Sequence, residues 1–324
     1  MIEVEHVTKY YGATPAVRDL HFTIEEGECV GFLGLNGAGK STTLRLLACL
    51  LLPTSGRIRI RGIDAEQAPH RIRRFVGFLP DTPPLYDDMD VERFVAYAGR
   101  LRGMDERALR KRLPEVLQIC GLTEVRAEPV AVLSHGYRQR VGIAQAVIHE
   151  PALLILDEPV QGLDPVQLVE MRAMIRSLRG RHTILLSTHL LSEVEQTCDR
   201  ILMLKDGRIA AQGTEEELLA RFGQGVRFEV EARAERGEAL AEALRALEHV
   251  AEVTAEPLGE GLWRLAVRAE RDVREAVARR LVEAGAGLRE MRRLQSGLED
   301  VFVRIEGDGA TASGDGSQGG RADA

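Results

Sequence analysis

Eight residues constrain this chain more than any others. Gly34-Leu-Asn-Gly-Ala-Gly39-Lys40-Ser41 fits the spacing G-x-x-x-x-G-K-[ST], directly after the apolar run Cys29 to Leu33 and directly before a helical pattern from Lys40 to Leu51. A strand-loop-helix unit satisfies that order. Glycines let the loop backbone wrap closely enough for its N–H groups to face phosphate oxygens, and the helix N-terminus adds positive potential. Lys40 is placed to neutralise β- and γ-phosphate charge, and Ser41 to offer its hydroxyl to Mg²⁺. Only four lysines occur (Lys9, Lys40, Lys111 and Lys205) among 43 basic residues, so a lysine in a motif is informative.

A second element is Leu153-Leu-Ile-Leu156-Asp157-Glu158, four apolar residues ending in two acids. Taken alone, this is also the pattern of a plain strand leaving a core. Downstream of a phosphate loop, it predicts a buried strand that carries Asp157 to the metal beside Ser41. Glu158 then stands where it can polarise a water for attack on the γ-phosphate.

Composition narrows the setting. The chain has 324 residues, 44% apolar and 29% charged, the balance of a globular protein, and its length suggests two domains. Its formal charge of −7 and pI near 5.7 give no general attraction to nucleic acid, and none is expected as a partner. The apolar runs fall far short of the roughly 20 residues that span a bilayer, and Met1 to Ile24 lacks the apolar centre of a secretory signal. The expected compartment is therefore the cytoplasm. Cys29, Cys49, Cys120 and Cys198 lack both zinc spacing and disulfide density, and read as reduced core thiols.

Along the chain, short alternating segments at Ile2 to Val7, His21 to Ile24 and Arg57 to Arg61 read as strands that precede or surround the phosphate-loop unit. From about 84 to 150 the pattern turns to 3.6-residue periods, and from Ala152 it returns to strand. The fold class expected is α/β: a P-loop NTPase (RecA-like) core with an antiparallel β subdomain and a helical insertion. After residue 222 the pattern restarts. Strands from Val226, around Val250 to Ala255, at Leu262 to Val267 and at Leu288 to Leu294 alternate with two helices in β-α-β-β-α-β order, a small ferredoxin-like α+β domain. The expected boundaries are 1–222, 223–306 and a disordered tail 307–324, which has no large apolar side chain. The C-terminal domain carries no ligand cluster, and Trp263 reads as core.

Between the two acidic and phosphate elements lies Leu133-Ser134-His135-Gly136-Tyr137-Arg-Gln-Arg140, and after them Gly162-Leu-Asp164-Pro165 and Ser187-Thr-His189. This combination resembles the ATP-binding cassette (ABC) ATPases over about Ile2 to Phe222. The resemblance implies an ATP site of Gly34, Asn36, Gly37, Ala38, Gly39, Lys40, Ser41 and Thr42, with Mg²⁺ on Ser41 and Asp157. It implies Glu158 as catalytic base, His189 as the γ-phosphate sensor, and Asp164 at a dimer seam. Two copies are implied to close head to tail, so that Ser134, His135 and Gly136 of one chain face the ATP held by the other. Tyr11, just before Gly12, matches the position that stacks on adenine, with Tyr10 the alternative. Ser134 also reads as a plain helix N-cap.

Two departures from the family pattern stand out. Where glutamine is usual, this chain has Asp81 after Gly77-Phe-Leu-Pro80, and a carboxylate there can still coordinate Mg²⁺. His135 and Tyr137 replace a glycine and a glutamine of the signature. The stretches Leu79 to Met89, Leu133 to Arg140 and Leu298 to Phe302 are similar to gliding-motility and multidrug export-type cassettes, which serve separately encoded type-2 export (ABC-2) permeases. The implied function is the ATP-hydrolysing subunit of an exporter, peripheral on the inner membrane face through permease subunits that bind near Pro83, Pro84 and Tyr86. The alternatives are a soluble cassette acting on a macromolecular assembly, or a scaffold that binds ATP without turnover.

Overall fold

The computed structural model describes residues 1–222, 226–294 and 297–307. The chain divides into two compact units, Met1–Glu215 and Glu216–Ala324. The division falls seven residues before the break at 222 read from sequence, because a helix at Glu215–Phe222 groups with the second unit.

In the first unit the elements run β1 (Ile2–Tyr11), β2 (Thr14–Ile24), β3 (Cys29–Leu33), α1 (Lys40–Leu47), β4 (Ser55–Ile60), β5 (Ile63–Asp64), α2 (Pro69–Ile72) and β6 (Val76–Leu79). The helical insertion follows with α3 (Val91–Leu101), α4 (Glu106–Ile119) and α5 (His135–Val147). Then come β7 (Leu153–Asp157), α6 (Pro165–Leu178), β8 (Thr183–Thr188), α7 (Leu191–Thr197), β9 (Arg200–Lys205) and β10 (Arg208–Gly213). Strands β2-β1-β4-β5 form an antiparallel sheet, and β10-β9-β3-β8-β7-β6 form a second sheet, parallel except for the β9–β10 hairpin.

Strand β7 shows why its continuous apolar run is needed. Leu154 and Leu156 face a core shared with the helical insertion, while Leu153 and Ile155 face the opposite core with Phe32, Leu44 and the antiparallel sheet. A strand buried on both faces has no polar side. Helix α1 stops at Leu47, four residues before the Leu51 read from the apolar pattern. Cys49 takes a left-handed φ of 55°, Leu50 N–H donates to Arg45 O at 2.9 Å, and Cys49 N–H to Leu46 O at 3.0 Å. That is a Schellman ending built without glycine.

The thiols of Cys49 and Cys120 are pushed by burial to about 11 and about 12, and that of Cys198 rises through its contact with Cys29 and its burial. These groups stay protonated at neutral pH.

At the amino-terminal ends of the parallel strands, His149 sits with Nε2 3.3 Å from Val76 O. Burial, with Arg102 nearby, lowers its pKa from 6.5 to about 4. The folded form therefore holds the ring neutral, while the unfolded chain takes up a proton below about pH 6.5. Stability is full above that pH and falls as pH drops toward 4, by about 3 kcal/mol in total and about 2 by pH 5. Denaturant titrations of wild type and His149→Gln at pH 7.5 and 5.0 check this. The variant should lose less stability on acidification by that margin, and equal losses would assign the acid sensitivity elsewhere.

The second unit contains α8 (Glu215–Phe222), β11 (Val226–Arg233), α9 (Gly237–Arg245), β12 (Val250–Gly259), β13 (Leu262–Ala269), α10 (Arg274–Glu283), β14 (Gly287–Leu294) and α11 (Leu298–Gly307). The sheet order β12-β13-β11-β14, with all neighbours antiparallel, is the split β-α-β arrangement expected from the sequence. One face buries Phe228, Val230, Leu265 and Val267 under Leu240, Leu244, Val277 and Leu281. The other carries ion pairs across the strands, Glu229–Arg292 at 2.7 Å and Glu231–Arg264 at 3.0 Å. Trp263, read from sequence as core, is only partly buried: it packs on Gly237 and donates to Ala234 O at 3.2 Å, beside rather than within the hydrophobic cluster. Leu298 and Val301 of α11 are buried, and Asp300 pairs with Arg227, which gives the Leu298 to Phe302 stretch a packing role. The expected tail lies, from 308 on, outside the described residues.

Candidate active site

Register brings the site together. In the parallel sheet Leu33 pairs with Thr188, Asp157 with Ser187, and Leu79 with Leu156, so four strands end at one level. Gly34, Glu158 and His189 directly follow three of those ends, and Asp81 stands two residues past the fourth. In an open α/β sheet, the carboxyl ends of the strands are where ligands bind.

The phosphate loop leaves β3 and enters α1 through Gly39, whose φ is 102°. A Cβ at Gly39 would lie 2.6 Å from Ala16 O, and one at Gly34 2.5 Å from Leu204 O, so close backbone approach fixes both as glycine. No side chain caps α1, leaving its first-turn N–H groups free for an anion. Buried Lys40 directs Nζ to Gly34 O at 2.7 Å and lies 3.4 Å from Glu158 Oε1.

Asp157 is 1% exposed and accepts from Ser187 Oγ at 2.5 Å and Ser41 Oγ at 3.2 Å. Glu158 follows with a left-handed φ of 47°, a strained conformation for a non-glycine residue that its surroundings must enforce. Ser187 does so: Glu158 N–H donates to its carbonyl at 3.2 Å and to its Oγ at 3.0 Å. The Glu158 carboxylate thus lies between Lys40 and His189, whose Nδ1 is 3.0 Å from Oε2.

A cleft of about 500 Å³ opens over these groups, lined by Ala16, Leu35, Asn36, Gly37, Gly39, Lys40, Ser41, Thr42, Asp81, Glu158 and Gln161. Asp81 is exposed at its edge, and its carbonyl accepts from Gln139 Nε2 at 3.3 Å. Tyr11 and Tyr10 are half-exposed at the end of β1 and are not among the lining residues. Ser134, His135 and Gly136 also lie off the lining. Ser134 caps α5, accepting from Tyr137 N–H, and Asp164 caps α6, accepting from Val166 and Gln167 N–H at 3.0 and 2.9 Å.

Sequence reading gave no role to Ser187, although it stands two residues before His189. Gln161 and Ala16 were also missed, since nothing local marks a side chain that merely walls a cleft.

A donor set of one buried carboxylate and one hydroxyl beside an anion cradle suits a hard cation that shares its shell with phosphate oxygens and water. Among the described residues no group of three or more His, Cys, Asp or Glu forms a self-sufficient metal cage.

Fold and cleft together define a phosphate-loop nucleoside triphosphatase. The sequence profile of the ABC transporter family matches residues 17–161. The chain is 35% identical over 309 residues to the Nod factor export ATP-binding protein I of Ralstonia nicotianae, covering 95% of this chain and 94% of that one. It is 36% identical over 232 residues to the bacitracin transport ATP-binding protein BcrA of Bacillus licheniformis, covering 71% and 75%. Among solved structures, the dimeric post-hydrolysis state of the ATP-binding cassette MJ0796, bound to ADP and Pi, superposes with a TM-score of 0.62 at 28% identity, covering 66% of this chain and 98% of that one. This chain belongs to the ATP-binding proteins of the ABC transporter family, and it binds and hydrolyses ATP.

Proposed function

We propose that the chain is the ATP-hydrolysing subunit of a membrane exporter, docked as a homodimer on separately encoded ABC-2 type permease subunits at the cytoplasmic face of the membrane. The phosphate-loop amides and Lys40 hold and neutralise the ATP phosphates. Ser41 and Asp157, with Asp81 at the cleft edge, would hold Mg²⁺, which supplies charge neutralisation between the β- and γ-phosphates. Glu158 accepts the proton of the attacking water, and its placement by Ser187 and Lys40 supports that role. His189 donates to the γ-phosphate, Ser134 and Gly136 cover the partner chain's nucleotide, Asp164 orders the seam, and Tyr11 stacks on adenine.

The observation that carries the transport reading is a second groove, of about 450 Å³. Leu50, Phe78, Pro80, Pro84, Ala98 and Leu101 form its apolar part, and Arg45, Arg73 and Arg102 its charged part, with no carboxylate in the lining. Burial and neighbouring Arg73 pull the Arg102 pKa below its usual value. Leu50 and Leu101 are 53% and 69% exposed, an apolar surface that a permease's cytoplasmic helix would cover. No helix among the described residues is long and apolar enough to cross a membrane, so the spanning part would belong to the partner.

Affinity capture of the tagged chain from detergent-solubilised cells tests this. A polytopic membrane protein should co-elute with wild type and be lost with Leu50→Asp/Leu101→Asp, whose ATP affinity stays unchanged. Ribosomes or soluble proteins alone would favour an assembly ATPase instead, and full retention by the double variant would remove the groove as the docking site.

A further inference from the structure

His135, the signature residue that departs from the usual glycine, reaches back onto a loop of its own chain. Its Nε2 lies 2.9 Å from the carbonyl of Gln161 in the same chain. A carbonyl only accepts, so Nε2 carries the proton and donates. The ring also lies against Gly162, where a Cβ would sit 3.5 Å from Nε2. Gly136 packs against the same loop and the first turn of α6, since a Cβ there would meet Leu163 Cδ2 at 3.4 Å and Gln167 Oε1 at 2.3 Å. Gln161, Gly162 and Leu163, in the loop after Glu158, and Gln167 beyond it therefore pack against the start of α5. Glu158 and Gln161 line the chain's own nucleotide cleft.

We propose that His135 is a positioning residue that ties this chain's catalytic loop to the signature it offers the partner chain. Through one hydrogen bond, the backbone that sets Glu158 and Gln161 in one cleft is held in register with Ser134 and Gly136, which serve the other. This rests on the head-to-tail dimer reading above. A glycine at 135 has no side chain to make such a link, so the residue that departs from the family pattern supplies a connection the pattern lacks. The ring does not touch the nucleotide cleft of its own chain, and its removal should leave the ATP affinity of the isolated chain intact.

The test compares full-length wild type, His135→Ala and His135→Gln by hydrogen exchange, nucleotide binding and phosphate release. Removing the donor should raise exchange in the peptide spanning Glu158 to Asp164 severalfold and lower kcat about fivefold, with the Kd for ATP within about twofold of wild type. Glutamine, which restores a donor of similar reach, should recover both. Wild-type exchange and kcat in His135→Ala would overturn the proposal, as would equal defects in the alanine and glutamine variants, which would make ring packing rather than donation responsible. The exchange arm reads one chain without ATP. A failure of the dimer reading would show separately, as a Glu158→Gln protein that stays monomeric with ATP by light scattering.

Discussion

Glu158→Gln should bind ATP at least as tightly as wild type, dimerise in its presence, and release phosphate about a hundredfold or more slowly. The glutamine keeps the size of the side chain and one acceptor oxygen, so the contacts to Lys40 at 3.4 Å and His189 at 3.0 Å can persist in altered form. It cannot accept a proton at neutral pH. A positioned general base contributes on the order of 10²–10⁴ in rate, which sets the expected loss. Affinity moves the other way, because a carboxylate beside the γ-phosphate repels it and an amide does not. The strained backbone at 158 is held by Ser187 and not by the side chain, so the fold is unaffected. Phosphate release, nucleotide binding and light scattering on one preparation separate the three effects. Near-normal turnover would falsify the role of Glu158 as proton acceptor.

What the sequence discloses at this site is the part written into local spacing. Lys40 and Ser41 follow a glycine loop, and Asp157 and Glu158 end an apolar strand, so their types and separations suffice to propose their roles. The structure brings them together in two pairs, Lys40 with Glu158 at 3.4 Å and Ser41 with Asp157 at 3.2 Å, through the register of β3, β8 and β7, which no local pattern states. Ser187 escapes for that reason: its importance lies in being opposite Asp157 on a neighbouring strand. The β-α-β-β-α-β order of the second unit is legible because each element has its own period. The stop of α1 is not, because Cys49 adopts a conformation the eye expects of glycine. The link from His135 to Gln161 joins segments 26 residues apart and depends on how a loop wraps.

Arg172→Ala should cost the first unit about 3–5 kcal/mol, the usual result of stripping one partner from a buried ion pair. Glu193 is 1% exposed, and among the described residues Arg172 is the cation paired with it, through Nε contacts at 3.0 and 2.9 Å and a closer one from Nη2. Nη1 of Arg172 continues to Gln196 Oε1 at 2.6 Å, so one guanidinium fastens α6 to α7. Without it, a desolvated carboxylate has no cation. The folded chain must either bury that charge or take up a proton, and both lower stability. For a unit of this size the melting temperature should fall by roughly 10 °C. A variant in which both partners become apolar, Arg172→Met/Glu193→Leu, should regain most of the loss, because the pair's desolvation cost disappears with its attraction. Arg172→Lys should recover less than half, since an ammonium cannot reproduce the two-pronged contact or reach Gln196. Thermal melts of the four proteins decide the matter: a double variant no more stable than Arg172→Ala would mean that the side chains matter here for shape rather than for charge. The position of the pair gives the loss a functional side. Helix α6 begins at Pro165, just after its cap Asp164, and α7 follows His189, so the segments that follow Glu158 and His189 are held at a fixed spacing by a contact outside the cleft.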